Sequence, residues 1–282
     1  MIELFINQED DRVVRQRDDS PTVYLDHWAL QAFCENQQLG ARLTAALELR
    51  GGTLALSWAN LAEFIKVTRQ QHIRQAEDLV EANLPRLFFL EADPFVVIDR
   101  EAEVRAGGPL LAAPHSDGKL LKEFFLQSKP VPPKVFTARD LFTWPQDQEL
   151  VQRMDEFKHT FCGRVQMLRG ALKDGSQFGR DVERSPRVPE GQRGTAVILR
   201  ELLRPLIVDN KKTISGNDAI DLLHAVVPIA YCNWVLLDKY WETQINSVRS
   251  RFRRTGISVP IANVFSGKPN GVERFICELE SS

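Results

Sequence analysis

The sequence is poor in features that define several common classes of protein. Its four cysteines are scattered over 282 residues without a close pair, which argues against a zinc knuckle and a disulfide framework. The first residues, MIELFINQEDD, are acidic and lack a basic segment followed by an apolar one, so we expect no secretory signal and a cytoplasmic protein. The most apolar stretch, residues 219–237, contains Asp221, His224 and Asn233, which makes a membrane span too costly.

Signature motifs of several enzyme classes are also missing. The chain contains no P-loop, GxGxxG, GxSxG or HExxH, which argues against the nucleotide-binding, hydrolase and zinc-protease classes that these motifs define. The net charge is only -2, but acidic residues are in excess within 1–100 and basic residues within 101–216. This distribution would suit an acidic metal site beside a basic surface, although charges on solvated helical faces explain it more simply.

Short apolar runs alternate with segments of helical periodicity in the first hundred residues. Residues 22–26 and 53–56 predict buried strands, and a helix is predicted after each of them, up to about Leu49 and from Ser57 onwards. A further helix is predicted at about 75–90, and a third strand at 94–99. Strands that alternate with helices in this way predict a parallel sheet.

The pattern changes in the middle of the chain and resumes near its end. Residues 101–213 read as helical pieces broken by GGP, PVPP, DGS and SPRVPEG, and 175–194 as a mobile loop. From residue 217 we predict a helix bent or broken at Pro228, a strand at 234–237, a helix from Lys239 to about Arg254 and a last strand at 262–265. The two ends of the chain would then build one sheet.

Two aspartates follow short apolar strands directly. Asp26 ends VYLD and Asp238 ends VLLD, each with a helix predicted behind it. In a parallel sheet both side chains would emerge at the carboxyl edge, where open α/β folds bind ligands. Each aspartate taken alone is explained more simply as a helix N-cap.

Further acids lie on the predicted helices. Glu63, in SWANLAEF, stands between two apolar residues, although an ordinary surface ion pair also explains it. Asp218, Asp221 and His224 are spaced by three residues and share one helical face. Asp218 can simply stabilise a helix start, whereas Asp221 among apolar neighbours needs a partner or a metal. We expect His224 to be a hydrogen-bonded group behind the ligands rather than a ligand.

Taken together, Asp26, Glu63, Asp221 and Asp238 predict a metal site. Mg²⁺ and Mn²⁺ prefer oxygen ligands, and carboxylates from several elements can hold one or two such ions while leaving room for water and phosphate. Such an arrangement cleaves phosphodiesters, one ion activating water and the other stabilising the leaving oxygen in a two-metal site. The carboxylates would raise one another's pKa until a cation neutralises them.

Three segments carry a resemblance to a known family. YLD, SxxNLAEF and NDAIDLLHAVVPIAYCNWVLLDKYW together resemble the acidic motifs of PIN-domain nucleases, over roughly residues 1–100 and 215–265. The resemblance implies a three-layer α/β/α sandwich with a central parallel sheet of four or five strands. Residues 1–100 and 214–282 would form this nuclease core, and 101–213 a mostly helical insertion.

The resemblance also implies an activity and a ligand set. We expect a Mg²⁺- or Mn²⁺-dependent endoribonuclease with Asp26, Glu63, Asp221 and Asp238 as catalytic and metal-binding residues, and Asp218 as an extra or substitute third ligand. Two features depart from the family. Leu237 stands where members often carry Thr or Ser, and the compact toxin members lack an insertion like 101–213.

Basic residues complete the expected interface with RNA. An arginine cluster near the end of a predicted helix could hold a phosphate backbone or, equally, complement the helix dipole: Arg249, Arg251, Arg253 and Arg254. The middle of the chain would lie beside the acidic pocket and contribute basic side chains such as Arg164, Arg169, Arg180 or Arg187.

Two other functions are also compatible with the sequence. One is a PIN-like binding or scaffold protein that has lost catalysis, and the other is a DNA nuclease. Within the family, an inhibitor or antitoxin partner or a homodimer is a further expectation, which the residues themselves do not specify.

Overall fold

The centre of the protein is a five-stranded sheet whose strands are all parallel. The computed structural model describes residues 2–6, 12–65, 70–108, 113–127, 137–139, 147–174 and 194–281. In the order β5-β4-β3-β6-β7, the sheet consists of β3 (Thr22–Leu25), β4 (Thr53–Ser57), β5 (Leu87–Leu90), β6 (Trp234–Leu236) and β7 (Asn263–Phe265). Two earlier strands, which the sequence reading missed, pair antiparallel with each other: β1 (Ile2–Ile6) and β2 (Arg12–Gln16).

The predicted parallel sheet is therefore confirmed, and the chain is an α/β protein. Every residue of β3, β4 and β5 is buried, as expected for parallel strands that are covered on both faces. The central strand β3 pairs with β4 on one side and with β6, from the far end of the chain, on the other. Both ends of the chain thus build one sheet.

Helices pack around this sheet in two groups. The first group is α1 (His27–Glu35), α2 (Gln37–Arg50), α4 (Gln70–Asn83) and α11 (Gly271–Ser281). The second group is α5 (Pro94–Arg105), α7 (Asp147–Lys173), α8 (Gly194–Val208), α9 (Gly216–Tyr231) and α10 (Lys239–Thr255). Two further helices are α3 (Trp58–Ile65), which packs against α7, and α6 (Gly118–Gln127), which packs against β5. Both groups contact the sheet, an arrangement consistent with three layers. None of the described helices is long and apolar enough to cross a membrane.

Two predictions near residue 90 are wrong. Residues 94–99 begin helix α5 instead of forming a strand, because Asp93 accepts a hydrogen bond from the Phe95 amide (2.8 Å) and Pro94 occupies the first turn, where its missing N–H costs nothing. A helix is predicted at 75–90, but the observed helix ends at Asn83 and residues 87–90 form β5. The β-branched residues within 96–98 favour a strand, but the start signal of Asp93 and Pro94 outweighs that preference.

The helix predicted after β3 is divided in two. The side chain of Asn36 accepts a hydrogen bond from the Leu39 amide (3.1 Å) and starts α2 as a new helix. Gly51 ends α2 as predicted, in the left-handed conformation with φ 64° that glycine adopts without strain. On α9, Pro228 lies within a continuous helix.

The described part of residues 101–213 is helical and packs directly on the rest of the chain. Helix α7 contacts α3 and α9, and α8 contacts α5, α9 and α10. The buried apolar residues of α7 and α8 belong to the same cluster as those of the sheet. The predicted loop at 175–194 and the PVPP and SPRVPEG segments lie outside the described residues, apart from Gly194 at the start of α8.

A buried ionic network joins α7 to the end of β5. Glu91, directly after β5, contacts Arg153 (2.8 Å) and accepts a hydrogen bond from the Trp58 indole (3.0 Å). Arg153 also reaches Asp117 (3.3 Å), and Arg100 lies 3.5 Å from Glu91. Burial, followed by the negative charge of Glu91, raises the pKa of Asp117 to about 6. Arg153 therefore neutralises two carboxylates that water barely reaches.

Replacing Arg153 by methionine is expected to lower the free energy of unfolding by about 3 kcal/mol, because it leaves buried carboxylates without their main partner. Urea unfolding followed by circular dichroism measures this. The matched control is Arg42→Met, which also removes an arginine from two glutamates, Glu273 and Glu280, but at the surface. Its effect should be much smaller. Equal losses in both variants would contradict the structural role given to the Arg153 network.

Candidate functional site

Asp26 and Asp238 emerge at the same edge of the sheet. Leu25 and Leu236 lie opposite each other in the parallel pair β3–β6, and the Asp26 amide donates a hydrogen bond to the Leu236 carbonyl (3.0 Å). Asp238 follows two residues after Leu236. Asp26 is buried, with 6% of its surface exposed, whereas Asp238 is exposed. The two carboxylates thus lie at the carboxyl edge of the sheet, one buried and one exposed.

Helix capping accounts for only part of these two positions. Asp26 accepts a hydrogen bond from the Ala29 amide (3.1 Å) and so caps α1. Asp238 occupies the N-cap of α10, but its side chain makes no capping hydrogen bond. The capping explanation therefore fails for the carboxylate of Asp238.

Glu63 reaches the same edge through the start of α3. Asn60 accepts a hydrogen bond from the Ser57 amide (2.9 Å) and donates one to the Leu25 carbonyl (3.1 Å), which ties α3 to the end of β3. Glu63 lies three residues further along α3 and therefore on the same helical face. Its side chain is 23% exposed. The SxxN segment thus positions Glu63 beside β3.

A buried histidine joins Glu63 to the sheet. His224 Nε2 lies 2.8 Å from Glu63 Oε2, and His224 Nδ1 lies 2.6 Å from the hydroxyl of Tyr24. That hydroxyl is also 3.0 Å from Ser57 Oγ. His27 adds a second imidazole, with its Nδ1 4.0 Å from Glu63 Oε2. The polar chain from Ser57 through Tyr24 and His224 to Glu63 connects β4, β3, α9 and α3.

Tyr24→Phe is expected to lower the free energy of unfolding by about 1–2 kcal/mol, because it removes a buried hydroxyl and leaves His224 Nδ1 and Ser57 without that partner. Chemical denaturation gives the difference. The comparison variant Tyr231→Phe removes a hydroxyl that donates to Glu101, at a distance from the acids. Only Tyr24→Phe should also change the titration of His224 as followed by NMR. An unchanged titration in Tyr24→Phe would contradict this contact.

The acids act on one another electrostatically. Burial raises the pKa of Asp26 to about 8, the positive charge of His224 opposes this, and the negative charges of Asp238 and Glu63 add to it. Burial, followed by the charge of Asp238, raises the pKa of Asp221 to about 6. Burial alone would lower the pKa of His224, but Glu63, Asp26 and Asp221 together raise it. Asp26, Glu63, Asp221 and Asp238, here called the acidic cluster, therefore share one neighbourhood.

The acidic cluster does not form a ready-made cage for a cation. Over the described ranges, no three His, Cys, Asp or Glu side chains are grouped closely enough to hold one metal ion. This does not conflict with a Mg²⁺ site, because Mg²⁺ usually binds through one or two carboxylates and completes its shell with water and substrate phosphates. The carboxylate oxygens of these acids are the kind of donor that a hard cation prefers.

Asp218 has a structural task at the start of α9. Its Oδ2 accepts hydrogen bonds from the amide (2.9 Å) and hydroxyl (2.7 Å) of Ser215, while Ser215 Oγ accepts from the Asp218 amide (3.3 Å). Its Oδ1 pairs with Lys212 (2.5 Å). These contacts occupy both carboxylate oxygens, so Asp221 is the better candidate for the third acidic ligand.

The arginine cluster of α10 lies away from the acids. Helix α10 starts at the carboxyl edge and has seventeen residues, which places its last turn roughly 20 Å from its first. Arg249 donates to the Ala262 carbonyl, and Arg251 pairs with the buried Glu201 (3.1 Å). Arg253 and Arg254 are exposed in the last turn. The arginine cluster thus lies apart from the acidic cluster.

The arginines expected from the middle of the chain are divided. Arg169 donates to the carbonyls of Leu206, Asp209 and Lys212 and so closes the end of α8. Arg164 is exposed, with its guanidinium 4.1 Å from the ring centre of Phe95. Arg180 and Arg187 lie outside the described residues.

Several residues around the acidic cluster have no predicted role at the site: Tyr24, His27, Asn60 and Ser57, which is predicted only as a helix cap. Two signals in the sequence nevertheless point to them. Tyr24 and Asp26 are two apart, the spacing that puts side chains on one face of a strand. Ser57, Asn60 and Glu63 are spaced by three, which is typical of one helical face.

Comparisons with known proteins do not place the chain in a family. No model of a protein family matches it, and neither a curated protein nor a solved structure does.

Proposed function

We propose that this protein is a Mg²⁺- or Mn²⁺-dependent endoribonuclease with a PIN-like α/β/α core. The observation that supports it most is the placement of Asp26 and Asp238 at the carboxyl ends of adjacent parallel strands, with Glu63 and Asp221 in electrostatic contact with them. Four acids from four elements lie close enough at one edge of the sheet to raise one another's pKa, and a bound cation would neutralise them. The choice of RNA over DNA as the substrate rests on the resemblance to PIN-domain nucleases.

Each acid has a distinct task in this proposal. Exposed Asp238, half-buried Asp221 and buried Asp26 would hold the cation. Glu63, which lies 2.8 Å from His224, orients water at the acidic cluster. A bound cation would stabilise the charge that develops on the phosphate oxygens and activate water for hydrolysis.

Purified protein incubated with end-labelled RNA and DNA of the same sequence tests the proposal. We expect cleavage of RNA with Mn²⁺ or Mg²⁺, none with EDTA, and recovery when the cation is added back. Preferential cleavage of the DNA strand would replace the ribonuclease by a DNA nuclease. Cleavage that persists in EDTA would rule out a cation-dependent mechanism.

One observation favours a second function, a PIN-like binding or scaffold protein without catalysis. Glu63 lies 2.8 Å from His224, and Glu63, Asp26 and Asp221 raise the pKa of His224, which favours its charged form beside the acids without a metal ion. Cation titration separates the two functions. If the protein is a ribonuclease, Mn²⁺ should raise the melting temperature of the wild type more than that of Asp238→Asn. If it is a scaffold, Mn²⁺ should affect both proteins equally.

A further inference from the structure

An exposed aromatic side chain follows Asp238 closely at the carboxyl edge of the sheet. Tyr240 lies in the first turn of α10, two residues after Asp238, and 41% of it is exposed. Four large hydrophobic side chains are exposed in the described part of the chain, and Tyr240 is the aromatic one among them. Its ring rests edge-on against buried Trp241, with ring centres 5.2 Å apart. The ring is thus supported from within and open to solvent.

A lysine ties this ring to the helix that carries Asp221. Lys212 Nζ lies 5.5 Å from the ring centre of Tyr240 and pairs with Asp218, one helical turn before Asp221 on α9. The charges of Asp218 and Asp221 also act on the Tyr240 hydroxyl. Tyr240 therefore lies near Asp238 and Asp221 at the carboxyl edge, with the ammonium group of Lys212 beside its ring.

We propose that Tyr240 stacks on a nucleobase of single-stranded RNA and positions the chain for cleavage at the acidic cluster, an inference that rests on the proposed function. Aromatic side chains beside a basic group are the usual platform for unpaired nucleic acid, since every base offers a face for stacking. Stacking by Tyr240 does not depend on base identity. The substrate at this position is then an unpaired nucleotide, because a base within a duplex has no free face to offer.

Binding and cleavage of a short unpaired oligoribonucleotide by wild type, Tyr240→Leu and Tyr240→Phe test the stacking. Affinity is measured with Ca²⁺ in place of Mn²⁺, by the quenching of 2-aminopurine placed at successive positions. Tyr240→Leu should raise Kd and KM about tenfold, the loss of one stacked base, and change kcat less than twofold. Tyr240→Phe keeps the ring and should match wild type, and Tyr240→Trp should bind at least as tightly.

An abasic nucleotide identifies the stacked position. RNA without the base at that position should bind wild type about tenfold more weakly, and Tyr240→Leu should add nothing to this loss. If Tyr240→Leu binds intact RNA as tightly as wild type does, or if its effect multiplies with every abasic site, stacking is overturned. Should wild type cleave RNA while Tyr240→Leu is unaffected, only this inference fails. Absence of RNA binding and cleavage in wild type overturns the proposed function as well.

Discussion

Asp238→Asn is expected to reduce cleavage of RNA by about a thousandfold or more, because losing one carboxylate ligand removes several kcal/mol of transition-state stabilisation. The fold should persist, since the Asp238 side chain makes no capping hydrogen bond that the fold depends on. Asparagine keeps the shape of the side chain and removes only its charge. Single-turnover cleavage with saturating Mn²⁺ measures the effect.

The chain offers a matched control for this substitution in Asp218→Asn. Asp218 is also an aspartate near the acidic cluster, but its carboxylate oxygens accept hydrogen bonds from Ser215 and pair with Lys212. This variant should keep cleavage within a few-fold of wild type and lose some stability at the start of α9. Full activity in Asp238→Asn, or equal losses in both variants, would refute the assignment of Asp238 as a ligand.

Asp26→Asn is expected to stabilise the cation-free protein, increasingly so as the pH rises. The folded-state pKa of about 8 lies above the ordinary value of 3.8 because Asp26 is buried among other acids. Between these two values the unfolded chain loses the proton and the folded chain keeps it, so wild-type stability falls as the pH rises from about 4 to 8. Asparagine does not titrate and escapes this loss. The full difference in unfolding free energy has an upper limit of roughly 6 kcal/mol.

Urea unfolding of both proteins at pH 5, 7 and 9 in EDTA measures this effect. The gain from Asp26→Asn should be smallest at pH 5 and largest at pH 9. Adding Mn²⁺ should reverse the order at pH 7 and above, since the cation stabilises the wild type more than the variant. A gain that is independent of pH, or an equal Mn²⁺ effect in both proteins, would show that Asp26 is only the cap of α1.

The sequence predicted the positions of Asp26 and Asp238 because strand ends follow a local rule. A short apolar run that ends in a polar residue marks the carboxyl end of a buried strand, and parallel pairing brings such ends together. Their place at one edge thus required only strand recognition. The misplaced third strand shows the weakness of this rule, because the apolar run at 94–99 lies in a helix whose start is set by Asp93 and Pro94.

The contacts between side chains were beyond local rules. The pairing of Tyr24 with His224 joins residues 200 positions apart, and no periodicity within either segment contains that information. The same holds for the arginines. Arg169 and Arg251 look alike as basic helix residues, but one binds carbonyls at the end of α8 and the other a buried glutamate, and only the packing of α8 determines this.

The central position of β3 has a consequence for synthesis on the ribosome. Its partner β4 follows shortly after it, but β6 is translated about 200 residues later, on the order of 10–40 s at typical rates. During that interval one edge of β3 has no strand to pair with, and Asp26 has no Asp238 beside it. A nascent chain therefore exposes an apolar edge that favours aggregation, and it carries no complete acidic cluster near the messenger that encodes it. Premature termination before residue 234 should yield insoluble, inactive fragments.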